Sequence, residues 1–143
     1  MNFLCYTVFD VYMEEIKVVA GIIENNDKIL CMQRDKGKYD YVSFKWEFPG
    51  GKIEEGETNE QALKRELLEE MDLDVIVGIY FCDVEYTYPD FKITMFCYKC
   101  NTKDLDFKLN IHKDCKWLEK SELNIIDWAP ADMPIVKKLM EEK

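Results

Sequence analysis

A chain of 143 residues, 48% of them hydrophobic, is long enough for one domain with its own core and too short for two ordinary ones. Its formal charge of −10, from 29 acidic against 19 basic side chains, argues against a surface built for DNA or RNA, which draws on clustered Lys and Arg. The sequence has no apolar run of about 18 residues to span a bilayer, and its six irregularly spaced cysteines read as reduced thiols of a cytoplasmic protein.

Residues 1–12 are apolar but lack the basic start of a signal peptide. They read as an N-terminal extension, with two interpretations open: an upstream start codon, or an extra edge strand or dimer contact. Residues 13–143 read as a single domain. Ile16–Ile23 predicts a buried strand, Asn25-Asn26-Asp27 a turn, and Lys28–Arg34 the return strand of a hairpin. Residues 35–45 form a polar and aromatic loop, Trp46–Phe48 a short strand, and Pro49-Gly50-Gly51 a turn. Thr58 and Gln61 have the spacing of a capping box, which starts a helix that runs to about Met71.

Leu73–Glu85 and Phe91–Cys100 predict an antiparallel strand pair joined near Tyr88-Pro89-Asp90. After a loop over 101–114 come a short strand at Cys115–Leu118, a helical turn at Lys120–Leu123 and a last helix over Ala129–Glu142. The chain is α/β, and a mixed sheet between helices is its simplest packing.

The first helix carries the most informative pattern. Glu66, Glu69 and Glu70 stand at i, i+3 and i+4, so their carboxylates share one face. Leu63, Leu67 and Met71 form a separate apolar stripe that can face a core. Like charges at i, i+4 cost about 0.2–0.5 kcal/mol. Carboxylates near a helix C-terminus cost about 0.3–1 kcal/mol each. A divalent cation reverses both penalties, and hard oxygen ligands without His or Cys suit Mg²⁺ or Mn²⁺ rather than Zn²⁺. A solvated acidic face is the other reading such a helix allows.

With its flanks, this segment resembles the Nudix box: Gly51, Glu57, Arg65-Glu66-Leu67, Glu69-Glu70 and Leu73 all match. One position departs, because the family usually has Gly where this chain has Asp72. A left-handed residue is expected there, which Asp tolerates at a cost of about 1 kcal/mol. The resemblance implies a Nudix α/β/α sandwich and cleavage of a nucleoside diphosphate linked to another group. It assigns metal binding to Glu66, Glu69, Glu70 and the Gly51 carbonyl. Glu57 would orient Arg65 and support the metal shell, and Arg65 would act as a structural clamp. A plain surface pair between Arg65 and Glu69 is the alternative for that arginine.

The likeness extends over most of residues 16–140. VVAGIIENNDKILCMQR, WEFPGGKIEEGE, EYTYPDFKIT and DWAPADMPIV resemble the MutT and CTP pyrophosphohydrolase branch. That branch hydrolyses nucleoside triphosphates to a monophosphate and pyrophosphate, so nucleotide-pool sanitation is the expected function. The substrate would be a CTP or dCTP type or an oxidised nucleotide, with Mg²⁺ (or Mn²⁺) as cofactor and no nucleic-acid polymer or membrane as partner. The chain would act as a monomer or homodimer. A hydrolase of ADP-ribose, nucleotide sugars or dinucleoside polyphosphates is the enzymatic alternative. A nucleotide sensor without turnover is the non-enzymatic one.

Five residues are expected at or near the nucleotide. Arg34 would reach base or phosphate, or else lie on the surface of its strand. Phe48 could stack on the base or fill the core, and Tyr88 and Phe91 could line the pocket. MutT has Arg at the position of Phe91. Asp132 stands where MutT-like enzymes have an Asn that reads the base edge. Ionised, Asp132 only accepts hydrogen bonds and suits the amino group of cytosine. Protonated, it could read an oxidised guanine, and it could also merely cap the final helix.

Several relatives carry a water-positioning Glu just before a His in the loop ahead of the penultimate strand. Here that position is Ile111, next to His112. Asp114, or Glu69 and Glu70 themselves, would have to serve instead. His112 reads as an exposed loop imidazole, with a general base as the alternative. Cys97, Cys100, His112 and Cys115 superficially resemble a Cys₃His zinc site. However, odd spacing on a strand sends Cys97 and Cys100 to opposite faces.

Overall fold

The computed structural model describes residues 13–142, and the readings placed on residues 1–12 lie outside them. Strands β1 (Glu14–Asn25) and β2 (Lys28–Arg34) form the first hairpin. Asn26 and Asp27 both take positive φ, 50° and 63°, as a tight hairpin turn with right-handed strand twist requires. After β3 (Trp46–Glu47) and β4 (Gly50–Lys52) comes helix α1 (Asn59–Met71). Then follow β5 (Ile76–Thr87), β6 (Phe91–Asn101) and β7 (His112–Glu119). The chain closes with 3₁₀ turns at Lys120–Ile125 and Pro130–Asp132 and helix α2 (Met133–Glu141).

The strands make one mixed seven-stranded sheet in the order β3-β2-β1-β6-β5, with β4 pairing β1 and β7 pairing β2. Its centre is the parallel pairing of β1 with β6, in unbroken register from Glu14 opposite Phe91 to Glu24 opposite Asn101. Strand periodicity of two divides the core. Val19, Ile23, Leu30 and Met32 join Ala62, Leu63, Leu67 and Met71 of α1 on one side. Ala20, Ile22, Ile29 and Cys31 join Leu123, Trp128, Ile135, Val136 and Leu139 of the C-terminal segment on the other. The sheet therefore lies between helices. Cys97 and Cys100 fall in these two different clusters. Among the described residues no helix is long and apolar enough to cross a membrane.

Both ends of α1 follow the local sequence. Thr58 Oγ1 accepts from the Gln61 N–H at 3.1 Å, and Gln61 Oε1 accepts from the Thr58 N–H at 3.0 Å. At the other end Asp72 is left-handed, with φ 55° and ψ 34°. There the Asp72 and Leu73 N–H groups close onto the Leu68 and Leu67 carbonyls at 3.0 and 3.2 Å.

Several boundaries differ from expectation for reasons of tertiary pairing. Gly50 and Gly51, read as a turn, form β4 against β1 at Ala20 and Val19. A Cβ on Gly50 would collide with the Val19 carbonyl, so glycine permits that approach. β5 starts at Ile76 rather than Leu73, and β7 starts at His112 rather than Cys115 because β2 offers it a partner down to Arg34. The last helix is broken: Pro130–Asp132 is a 3₁₀ turn before α2. The segment before that turn supplies the second partner of β3. The Trp46 N–H donates to the Asp127 carbonyl at 2.9 Å, and the Ala129 N–H donates to the Trp46 carbonyl at 2.8 Å.

Candidate active site

The acids of α1 meet the Gly50-Gly51 strand at one end of a cavity of about 350 Å³. Gly51 is pressed against the Glu66 side chain so closely that a Cβ on Gly51 would fall inside that carboxylate. Arg65 organises the rest. Its Nε and Nη2 donate to the two oxygens of Glu57 at 2.6 and 2.7 Å, a bidentate pair. Its Nη1 donates to Glu66 Oε1 at 2.9 Å and to Glu69 Oε2 at 3.2 Å, and Nη2 donates to the Lys52 carbonyl at 3.0 Å. The Arg65 hydrogen bonds hold the Glu57 carboxyl down at about 2.

Glu70 is the group of this cluster that Arg65 does not touch. It lines the cavity, and its Oε2 is buried without a hydrogen-bond partner. Burial first, then the neighbouring Glu66 carboxylate, push its carboxyl up to about 8. Among the described residues, no three His, Cys, Asp or Glu side chains already surround a common point. Arg65 occupies Glu57, Glu66 and Glu69. An unpartnered buried carboxylate oxygen beside further acids is nevertheless the arrangement that a hard divalent cation relieves.

From Gly51 and Glu70 the cavity runs to Arg34, Phe48, Tyr88 and Asp132, so it joins six of the residues singled out from the sequence. Glu57, Arg65, Glu66 and Glu69 lie outside its lining. Phe48 is buried and stacks on Trp128 with centroids 4.6 Å apart. Tyr88 is buried, packs against Phe91 at 5.0 Å and accepts from the Ala131 N–H at 3.0 Å. Phe91 also lines the cavity, as does Tyr39, whose ring stacks on Phe91 at 5.6 Å. Asp132 is 4% exposed, and its Oδ1 accepts from the Phe48 N–H at 3.1 Å. Burial, then the charge of Glu47, push its carboxyl well above the ordinary aspartate range. The side chain of Asp132 does not cap α2.

His112 corrects the expectation of an exposed imidazole. It is buried, 8% exposed, and its Nε2 lies 2.9 Å from Glu47 Oε2. Glu47 holds Arg34 Nη1 with its other oxygen at 3.1 Å. Glu47 lines the main cavity and a smaller one of about 190 Å³ shared with Arg34, Lys36 and Ile111. Sequence reading passed over it, and the available signal was an acid inside the apolar run Trp46-Glu47-Phe48. Ile111 lines both cavities. Asp114 lies opposite Gln33 on β7 and lines neither.

Comparison with known proteins agrees with this geometry. The family description NUDIX domain matches residues 15–139. The 8-oxo-dGTP diphosphatase of Escherichia coli (strain K12) is 34% identical over 128 residues, covering 89% of this chain and 98% of that protein. The CTP pyrophosphohydrolase of the same organism is also 34% identical, covering 90% and 93%. Among solved structures, the E. coli ORF135 protein superposes with a TM-score of 0.74 at 34% identity, covering 90% of each chain. The Nudix-family MutT of methicillin-resistant Staphylococcus aureus 252 superposes with a TM-score of 0.71 at 42% identity, covering 92% of this chain and 99% of that one. A glycine strand against an acidic helix, the matched domain and relatives aligned nearly end to end make one conclusion: the chain belongs to the Nudix hydrolase family.

Proposed function

We propose that the chain hydrolyses nucleoside triphosphates to a monophosphate and pyrophosphate with Mg²⁺ (or Mn²⁺), and so cleanses the nucleotide pool. One cavity carries this reading, because it joins the acidic end at Gly51 and Glu70 to an aromatic end at Phe48, Tyr88 and Asp132. A base fits the rings and a phosphate chain fits the acidic end only together with a cation. Glu66, Glu69, Glu70 and the Gly51 carbonyl would hold that cation, and the orphaned Glu70 Oε2 fits the role. When bound, it supplies positive charge against the diphosphate oxygens and a Lewis-acid centre.

The chain's own residues divide the remaining work. Glu57 fixes Arg65, and Arg65 fixes Glu66 and Glu69. Arg34, held by Glu47, offers its guanidinium to base or phosphate. With Ile111 in place of an acid, Glu70 is the carboxyl group of the acidic helix that lines the cavity, and it would take the proton from the attacking water.

Asp132 bears on which base is read. One oxygen is committed to the Phe48 N–H, and burial favours the neutral acid, so the second oxygen can donate. A donor suits the carbonyl edge of an oxidised guanine; an ionised Asp132 would suit the amino group of cytosine. The 8-oxo-dGTP diphosphatase likeness supports the first and the CTP pyrophosphohydrolase likeness the second. In this reading the protein works on free nucleotides in the cytoplasm, as a monomer or homodimer.

The test is a panel of ordinary and oxidised nucleoside triphosphates incubated with purified protein and Mg²⁺. Pyrophosphate release is expected. Orthophosphate release, or no turnover with any triphosphate, would overturn the proposal.

A further inference from the structure

Beneath α2, on the face of the sheet that forms the cavity wall, two thiols stand directly opposite one another. Cys82 of β5 and Cys97 of β6 are Cα partners in the antiparallel register. The register shifts between Tyr80 and Cys82 and is regular from Cys82 to Thr87, and opposed residues in a regular antiparallel stretch hold their Cα atoms about 4.5–5.5 Å apart. A disulfide requires about 4.4–6.8 Å. Both cysteines are free, Cys97 is fully buried and Cys82 is only half-buried, so an oxidant can reach the pair from one side.

Their surroundings make the two thiols unequal. Lys138 of α2 donates its Nζ to the Phe81 carbonyl at 2.7 Å and lies over the Phe81 ring at 4.5 Å. That pins a cation at the residue preceding Cys82. The neighbouring Cys97 thiol, and then the charge of Lys138, pull the Cys82 thiol below its ordinary value against burial and the charge of Asp83. Cys97 moves up, chiefly through the proximity of Cys82 and its own burial. Burial pushes Cys31 and Cys100 up to about 12 and also raises Cys115. Cys82, half-buried and next to the residue that holds the Lys138 cation, is therefore the nucleophile, and the buried Cys97 opposite it is the partner aligned to resolve it.

We propose that Cys82 and Cys97 are a reversible oxidation site that takes peroxides and closes to a cross-strand disulfide. The Cys82 thiolate attacks one peroxide oxygen and breaks the O–O bond. This gives Cys82 sulfenic acid and, after protonation of the leaving oxygen, one water or alcohol. The Cys97 sulfur then attacks Cys82 Sγ and expels the hydroxyl as a second water, carrying the Cys97 proton. Two thiols are oxidised, one peroxide is reduced, and a dithiol such as dithiothreitol reverses the change by exchange. The site is distinct from the acidic cluster. It adjoins the cavity, since Met95, two residues before Cys97 on the same face of β6, is part of the lining.

The experiment treats the reduced full-length protein with hydrogen peroxide, blocks remaining thiols by alkylation after denaturation, and maps peptides by mass spectrometry without reduction. The expected product joins the Cys82 and Cys97 peptides with loss of two hydrogens and disappears with dithiothreitol. In Cys97→Ser, Cys82 should instead be trapped as a dimedone adduct of its sulfenic acid. In Lys138→Gln, alkylation of native Cys82 should slow several-fold. If peroxide leaves both thiols fully alkylatable, or first links a different pair of cysteines, the proposal is overturned. This wild-type readout requires neither a variant to fold nor any nucleotide turnover.

Discussion

The backbone N–H of Phe48 donates to Oδ1 of Asp132 across 3.1 Å, tying the link between β3 and β4 to the turn at the aromatic end of the cavity. The bond leaves one carboxyl oxygen for a ligand. Asp132→Asn should preserve the bond, because the amide oxygen accepts as well, while fixing an NH₂ donor at the second position. The relative turnover of oxidised guanine and cytosine triphosphates should shift. An unaltered ranking would return Asp132 to a structural role.

The same residue gives a pH signature. Its folded value lies above the ordinary 3.8 under burial and the charge of Glu47, opposed by the Phe48 N–H and Arg34. The folded state therefore binds more protons than the unfolded state as pH rises from about 4, and stability falls over that range. Denaturant titrations from pH 4 upward should show this decline in the wild type and a flatter profile in Asp132→Asn.

Glu69 is exposed and meets Arg65 at 3.2 Å, an ion pair worth under about 1 kcal/mol. Glu69→Gln should consequently leave the melting temperature within about 3 °C of wild type. Turnover should fall more than about 100-fold if the carboxylate holds the cation. Near-normal rates would contradict that role, and calorimetric Mg²⁺ titration of the same variant gives an independent reading.

Glu57 contributes in the opposite pH direction to Asp132. Its carboxyl drops from an ordinary 4.5 to about 2 through its bonds to Arg65. Its stabilisation is complete above the ordinary value and is lost as pH falls towards 2. Glu57→Gln should remove part of the acid limb of the stability curve. Identical acid-unfolding midpoints in the two proteins would disprove the coupling.

Asp72 in the left-handed region is a correctable defect. Its carboxylate is exposed and only 4.0 Å from the equally exposed Lys108 ammonium, so replacing it sacrifices little. Asp72→Gly should stabilise by about 1 kcal/mol, about 3 °C in melting temperature. A lower melting temperature would show that the aspartate side chain matters more than the backbone strain.

Local features of this fold were legible in the sequence because their causes are local. Thr58 and Gln61 cap a helix three residues apart, Leu63, Leu67 and Met71 pack by helical spacing, and Asp72 stands where a helix must end left-handed. What escaped depends on register between distant strands. His112 is buried because β7 continues along β2 as far as Arg34, which carries its imidazole to Glu47. Gly50 and Gly51 make a strand rather than a turn because β1 accepts their backbone. The roles of Arg34, Phe48, Tyr88 and Asp132 were open one at a time; what the sequence could not display is that they share one cavity.

The pairing of Trp46 with both Asp127 and Ala129 carries a consequence for synthesis on the ribosome. The acidic helix leaves the exit tunnel well before the segment that completes the β3 edge. A nascent or prematurely terminated chain that stops short of Asp127 thus lacks both the outer neighbour of β3 and Asp132 itself. Such fragments should be inert and open to proteolysis, so the cell meets this chemistry only in finished copies.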